Sequence, residues 1–390
     1  VKTSSPFTAV AGEGYFVNTT GGAITVNLPA GTPGAVVAIK DYANTFDTHN
    51  VTLVQNGSDK IGGSTVNSTL AVEGLAVTLV FIDATQGWLV TDSGLQSEAP
   101  TAQYITATSP CVATVGDYKI HTFTGGGPFN VTSAGNAAGS NTVDYLVVAG
   151  GGGGGGSVPG YYAGGGGGAG GFRESVPNPA AWTASPIANA SNARPVSVQN
   201  YTITVGGGGP GGTGGHPGGS NGTQGNTSTF SDISSAGGGS GGKSTGAPGG
   251  AAAGGTGGSG GGGGSYAGDG GAGNTPPVSP AQGFRGGGGS GSPTAPAPCT
   301  AGIGGGGGGA LGQGTDSTPG YGQAGGPGAT TCISNSPLTK AVGGASGLQP
   351  GGTPTTPANS GTGGQSGGNC ASSGANGGSG IVILRYKFQN

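Results

Sequence analysis

Residues 237–244 read GGGSGGKS, the G-x-x-x-x-G-K-S spacing of a phosphate-binding loop. In such a loop, backbone N–H groups cradle phosphates at the N-terminus of a following helix, and the lysine reaches the outer phosphate. Here TGAPGGAAAGG follows Ser244, and it will not hold a helix. Glycine at this density meets the spacing by chance, so Lys243 is expected to be a solvated loop residue. VDYLVVAGGGGGG, residues 143–155, matches a dinucleotide fingerprint just as trivially. Gly150, Gly152 and Gly155 stand in place, but no strand–helix–strand unit surrounds them.

The titratable residues add little. His49, His121 and His216 are far apart in sequence, and His121 sits in a strand pattern where it is expected to pack. Beyond residue 149 the acids are Glu174, Asp232, Asp269 and Asp316. A glycosidase needs two carboxyl groups about 5–10 Å apart, and no spacing here pairs any two. Cys111, Cys299, Cys332 and Cys370 lack CxxC spacing, so no zinc site is expected. Cys299 and Cys332 bracket one loop-rich stretch and are the candidate disulfide, with free buried thiols as the alternative. No catalytic residue, metal or cofactor is expected.

Any functional side chain must therefore be positioned by an unusual scaffold. Of the 100 glycines, 82 lie after residue 148, in runs that include Gly150–Gly156, Gly164–Gly168, Gly206–Gly209, Gly260–Gly264, Gly286–Gly289 and Gly304–Gly309. Leu, Ile, Val and Phe total only 62, and 39 of these fall in residues 1–148. The first part can fill β cores; the second cannot do so alone. Disorder usually couples low hydrophobicity to high net charge, whereas this chain has a formal net charge of −3. No basic patch points to nucleic acid, and no apolar run has the 18 residues of a membrane span. A chain that starts at Val1 and lacks Met is expected to be a processed or partial product, with an attachment region upstream.

Short alternating runs at 24–28, 36–40, 51–55, 75–82 and 88–91 predict a small β-sandwich over residues 1–95. Residues 96–117 are expected to be a linker, with at most a loose strand in it. A hairpin is expected from Tyr118–Thr124 and Phe129–Ser133. The apolar C-terminal segment IVILRYKF needs partners, and Val143–Ala149 with that hairpin supplies them. Residues 118–149 and 381–390 thus predict a β frame clamping both ends of a glycine-rich insertion, 150–380, with Tyr201–Val205 returning to the frame once.

Glycine runs can form the extended threefold helix, with about 3.1 Å rise per residue and lateral N–H and C=O groups. Those groups need partners, and bare helices can approach until they bond to one another. The expected fold is all-β with a polyglycine-II-type helix bundle and essentially no α-helix. Ordering 82 glycines at 1–2 kcal/mol each costs on the order of 100 kcal/mol, while a lateral hydrogen bond returns about 1 kcal/mol. The β frame, proline-stiffened loops and trimerisation must supply the margin. The interleaved loops carry aromatic and cationic residues suited to recognition. Tyr161, Tyr162, Trp182, Tyr266, Phe284 and Tyr321 are the candidates, with Arg173 and Arg285 as polar partners; packing against the glycine stack is the alternative role for each.

KIHTFTGGGPFNVTSAG, NTVDYLVVAGGGGGG, AGGFRES, YTITVGGGG, TFSDISSAGGG and the terminal GGSGIVILRY resemble the glycine-rich domain at the distal end of tailed-phage tail fibres. That resemblance spans residues 118–386. GYFVNTTGGAITVNLPAG, VAIKDYANTF and GWLVTD resemble a small β module of the same type of fibre protein. The resemblance implies a homotrimeric virion protein, extracellular, that binds a host surface polysaccharide or protein and joins other tail proteins. It implies no catalytic residue. The expected function is therefore non-catalytic attachment, with a structural extracellular filament or surface protein as the alternative and an ice-binding protein as a third. Neither nucleic acid nor membrane insertion is expected.

Overall fold

The computed structural model describes residues 1–95, 102–158, 163–215, 218–245, 252–291, 302–318, 322–347, 356–368 and 373–389. The chain forms two compact units, Val1–Thr101 and Ala102–Asn390. Both are built from strands and extended segments, and no helix occurs among the described residues.

The N-terminal unit contains β1 (Phe7–Thr8), β2 (Glu13–Val17), β3 (Ile24–Asn27), β4 (Val36–Asp41), β5 (Val51–Val54), β6 (Ser68–Leu70), β7 (Leu75–Phe81) and β8 (Trp88–Leu95). They form two four-stranded sheets, β1-β3-β5-β6 and β2-β4-β7-β8. The first five strands alternate between the sheets, so β1, β3 and β5 pair in parallel, as do β2 and β4. One core joins the sheets, with Val17, Val26, Val37, Phe46, Val51 and Trp88 fully buried. This is the expected sandwich. Strands β1, β2 and β6 lacked a sequence signal because they are short or contain polar residues and glycine.

The second unit holds β9 (Ile105–Thr108), β10 (Val112–Val115), β11 (Tyr118–Phe123), β12 (Gly127–Ala134), β13 (Thr142–Val148), β14 (Phe172–Val176), β15 (Asn189–Ala190), β16 (Arg194–Pro195) and β17 (Gln199–Ile203). It continues with β18 (Ser228–Phe230), β19 (Ile233–Ser235), β20 (Ser290–Gly291), β21 (Gly302–Ile303), β22 (Ala329–Thr331), β23 (Leu338–Lys340) and β24 (Ile381–Lys387). The frame sheet runs β10-β11-β24-β13-β14-β15. As expected, the C-terminal strand lies between β11 and β13, antiparallel to both. A smaller sheet, β17-β12-β9, packs on it through Phe129, Tyr145, Phe230 and Leu384.

Two expectations need correction. Strands β11 and β12 are consecutive but do not form a hairpin: β11 pairs with β24 and β10, whereas β12 pairs with β17 and β9 in the other sheet. The glycines at 125–127 carry the chain between sheets. The segment expected as a linker holds β9 and β10, and Ile105 is buried in the frame core. Its Thr-rich composition, ITAT and VATV, conceals strands whose outer residues face solvent.

Between frame strands the glycine runs form a lattice held by backbone hydrogen bonds. Gly150, Gly153 and Gly156 donate to Asn226, Thr223 and Ser220, while Gly151 and Gly154 donate to Gly378 and Ala375. Gly152 and Gly155 donate to Gly168 and Gly165. The carbonyls of the same run accept from three further runs: Gly238, Gly241 and Ser244; Gly209 and Gly212; Gly364 and Gly367. Every third residue thus returns to the same neighbour, and six neighbours enclose one run. Runs 164–171, 259–264 and 304–310 lie at similarly crowded positions, bonded to one another and to the runs around them. A Cβ on any residue of Gly150–Gly156 would stand 1.9–2.1 Å from a neighbour's carbonyl oxygen, so only glycine fits.

Runs at the rim follow the same period with side chains on the open side. Gly206, Gly209 and Gly212 are buried, whereas Gly207, Pro210 and Thr213 are exposed. In 237–244 only Ser240 and Lys243 reach solvent. The lysine of the phosphate-loop spacing thus occupies the open phase of a rim run. Rim donors are capped by side-chain oxygens: Gly211 N–H donates to Asn376 Oδ1, Gly288 N–H to Asp316 Oδ1 and Gly206 N–H to Ser228 Oγ.

Candidate functional site

The runs give the lattice two chemically different ends. Run 150–156 leaves the frame at β13, and run 164–171 returns to it at β14. Ser157, Val158 and Ala163 therefore stand at the end away from the frame. Hydrogen bonds gather other described run ends there. Gly215 N–H donates to Ser157 O, Gly219 N–H to Ser244 O and Gly289 N–H to Gly268 O. Ser265 Oγ bonds to Ser244 Oγ, Ser346 N–H donates to Gln323 O, and Gly347 N–H donates to Ser366 Oγ. The opposite end carries β14 to β17, the hairpin β18–β19, residues 274–283 and the hairpin β22–β23.

The sequence-predicted residues divide between these ends. Tyr266 sits in the tight turn 265–267 at the far end, half-buried, with a φ of 64°. Tyr161, Tyr162 and Tyr321 lie outside the described residues, as does Cys299. At the frame end, Arg173 donates to Ser234 O at 3.3 Å. Trp182 is half-buried there, its Nε1 donating to Glu174 at 3.4 Å. Phe284, 40% exposed, begins a rim run at the same end. Arg285 follows it on the side of the lattice, bonded to Gln313 at 3.0 Å and to Asp316 at 2.8 Å. Cys332 carries a free thiol and is half-buried.

Sequence reasoning missed a charge cluster in the frame. The Arg385 guanidinium is buried between the rings of Tyr118 and Trp182, 4.4 and 4.5 Å from their centroids, and donates to Ile333 O at 3.0 Å. Glu174 accepts from Trp182 Nε1, from the Ser185 N–H and from Thr331 Oγ1. These contacts lock the hairpin β22–β23 and the 177–188 loop to the sheet. The cross-strand pairing of Asp144 with Arg385 could not be seen without the register. The cavity beside Glu174 holds about 10 Å³, near the limit for one water, so no sugar ring fits.

A half-buried carboxyl and a buried imidazole oppose each other. Burial pushes the Asp144 carboxyl up to about 6, against the Ser175 hydrogen bond and the Arg385 charge, with Glu174 adding to the rise. Burial, aided by Lys119, pushes His121 down to about 4; its ring bonds Ser109 Oγ at 2.7 Å and Tyr386 OH at 3.1 Å. Between pH 4 and 6 the folded state holds more proton at Asp144, so this group favours folding as pH falls. Over about pH 4–6.5 the unfolded state holds more proton at His121, so that group disfavours folding as pH falls. Each effect is at most roughly 3 kcal/mol. Asp144→Asn should leave the histidine unopposed. Chemical denaturation at a series of pH values should then show a steeper loss of stability from pH 6.5 to 4 than in the parent protein.

The fold and its backbone-bonded lattice define a glycine-rich protein, and the comparison with known families agrees. The family model described as "Glycine-rich domain" matches residues 124–387, about two thirds of the chain, and the chain belongs to that family. No curated protein matches it.

Proposed function

We propose that this chain is a virion tail-fibre or adhesin subunit that attaches without catalysis to a host surface polysaccharide or protein. The observation that carries the proposal is the gathering of run ends and turns at one end of the lattice, with Tyr266 among them. A scaffold fixed by backbone bonds on all sides presents turns with little freedom left to lose on binding. Tyrosine gives flat apolar area with a polar edge, as saccharide and protein recognition require. The three-residue period of the lateral bonds supports the polyglycine-II form for the runs. Within this proposal the subunits form homotrimers, act outside the cell on the virion, and join other tail proteins upstream; trimeric avidity multiplies weak contacts.

Replacing Tyr266 together with Tyr161, Tyr162 and Tyr321 by alanine is expected to lower binding to host cells at least tenfold. Thermal unfolding should stay unchanged. Retained binding by the folded variant would remove the far end from recognition. Growth of polymers beyond a closed trimer, seen by light scattering, would favour the structural-filament alternative.

A further inference from the structure

Ten of the thirteen large hydrophobic side chains that stand exposed among the described residues belong to the N-terminal unit, about a quarter of the chain. Two of them, Phe16 and Tyr42, are each 55% exposed and lie on one outer sheet face. Strand β2 buries Tyr15 and Val17, which turns Phe16 outward; β4 buries Ile39 and Asp41, which turns Lys40 outward. Phe16 and Lys40 are cross-strand partners. Tyr42 follows at the end of β4, its N–H donating to Val17 O. A groove of about 540 Å³ opens here, lined by Val1, Phe16, Lys40, Asp41, Tyr42 and Asn44. That volume suits a small ligand.

Lys40 is the one charged side chain of the lining with donors to spare. The Asp41 carboxylate is turned inward and accepts from the N–H groups of Ala43, Thr45, Phe46 and Gly74. Lys40 Nζ gives one proton to Gly74 O, which leaves two of its three donors. Asn44, an exposed residue of the lining, holds a φ of 57°. Lys40, flanked along the outer sheet face by the strand positions of Phe16 and Tyr42, matches a ligand that is anionic, apolar on one flat side and rich in hydroxyls. We propose that this groove binds an acidic saccharide. The carboxylate sits on Lys40, a sugar ring lies against Tyr42 and Phe16, and Asn44 meets the hydroxyls.

The test is calorimetric titration of the full chain with trigalacturonate and with its neutral counterpart, galactotriose. Trigalacturonate is expected to bind at least tenfold more tightly, with the difference shrinking in 0.5 M salt as screening predicts. Tyr42→Ala and Phe16→Ala should each weaken binding at least tenfold at unchanged melting temperature. Lys40→Met should abolish the preference for the acid while keeping the neutral sugar. No binding of trigalacturonate, equal affinity for both sugars, or an unaffected Tyr42→Ala variant would overturn the proposal. The variant that replaces Tyr161, Tyr162, Tyr266 and Tyr321 should bind trigalacturonate like the parent, so failure here and failure of the attachment proposal are separate results.

Discussion

Gly166→Ala is expected to prevent the lattice from folding, whereas Gly207→Ala is expected to be tolerated. The two substitutions add the same methyl group to glycine runs of similar composition. At Gly166 the new Cβ would stand 2.0 Å from Gly344 O. Gly344 cannot retreat, because its N–H donates to Gly167 O and its own carbonyl accepts from Gly307. Overpacking a side-chain core costs about 1–3 kcal/mol because side chains can rotate aside. Here the obstacle is backbone bonded on several sides, so the loss should exceed about 3 kcal/mol, a large part of the 5–15 kcal/mol that holds an ordinary domain. At Gly207 the nearest atom is Asn226 Nδ2 at 3.7 Å, and alanine narrows the unfolded ensemble. That variant should match or exceed the parent by a few tenths of a kcal/mol to about 1 kcal/mol. Thermal unfolding followed by circular dichroism distinguishes the outcomes; equal melting temperatures for both variants would mean that the runs are not tightly enclosed.

Much of the architecture was legible because it rests on local pattern. Alternation marked β3, β4, β5, β7 and β8, and the apolar segment at 381–388 announced a strand in need of partners. The long glycine runs at 150–156 and 304–309 indicated backbones packed on backbones. The three-residue spacing of Pro210 and Thr213, or of Ser240 and Lys243, was present in the sequence, yet which phase faces outward depends on a run's place in the lattice. Sheet membership was hidden for a related reason: β11 and β12 look like a hairpin, but their pairing partners, Leu384 opposite His121 and Tyr201 opposite Phe129, come from strands far along the chain. The candidate site was least legible. Aromatic content alone cannot tell Trp182, held by Glu174 and Arg385 at the frame, from Tyr266 in a turn at the far end. Phe16 and Tyr42 passed unnoticed because strand alternation marks the buried face and leaves the outer face to chance.

Truncation after Gly380 is expected to abolish folding of the second unit, although it removes no glycine run. Strand β24 lies between β11 and β13, so its loss breaks two ladders at once and divides the frame sheet. Ile381, Val382, Ile383, Leu384 and Tyr386 are all buried, and at about 1.5–3 kcal/mol for each large side chain their burial contributes roughly 10 kcal/mol. That equals the whole net stability of a typical domain. Arg385 would leave with them, freeing the hairpin β22–β23 that it holds through Ile333 O. The runs would lose the anchor that sets their register, since Gly380 N–H bonds Gly206 O immediately before the strand begins. Lateral bonds alone cannot offset the entropy of so many glycines. Leu384→Ala should give a graded version of the same effect, lowering stability by about 2–5 kcal/mol. Amide exchange across residues 150–380 is the measurement. Rapid exchange in the truncated chain and protection in the full chain are expected; protection in both would show that the lattice holds itself together without its β frame.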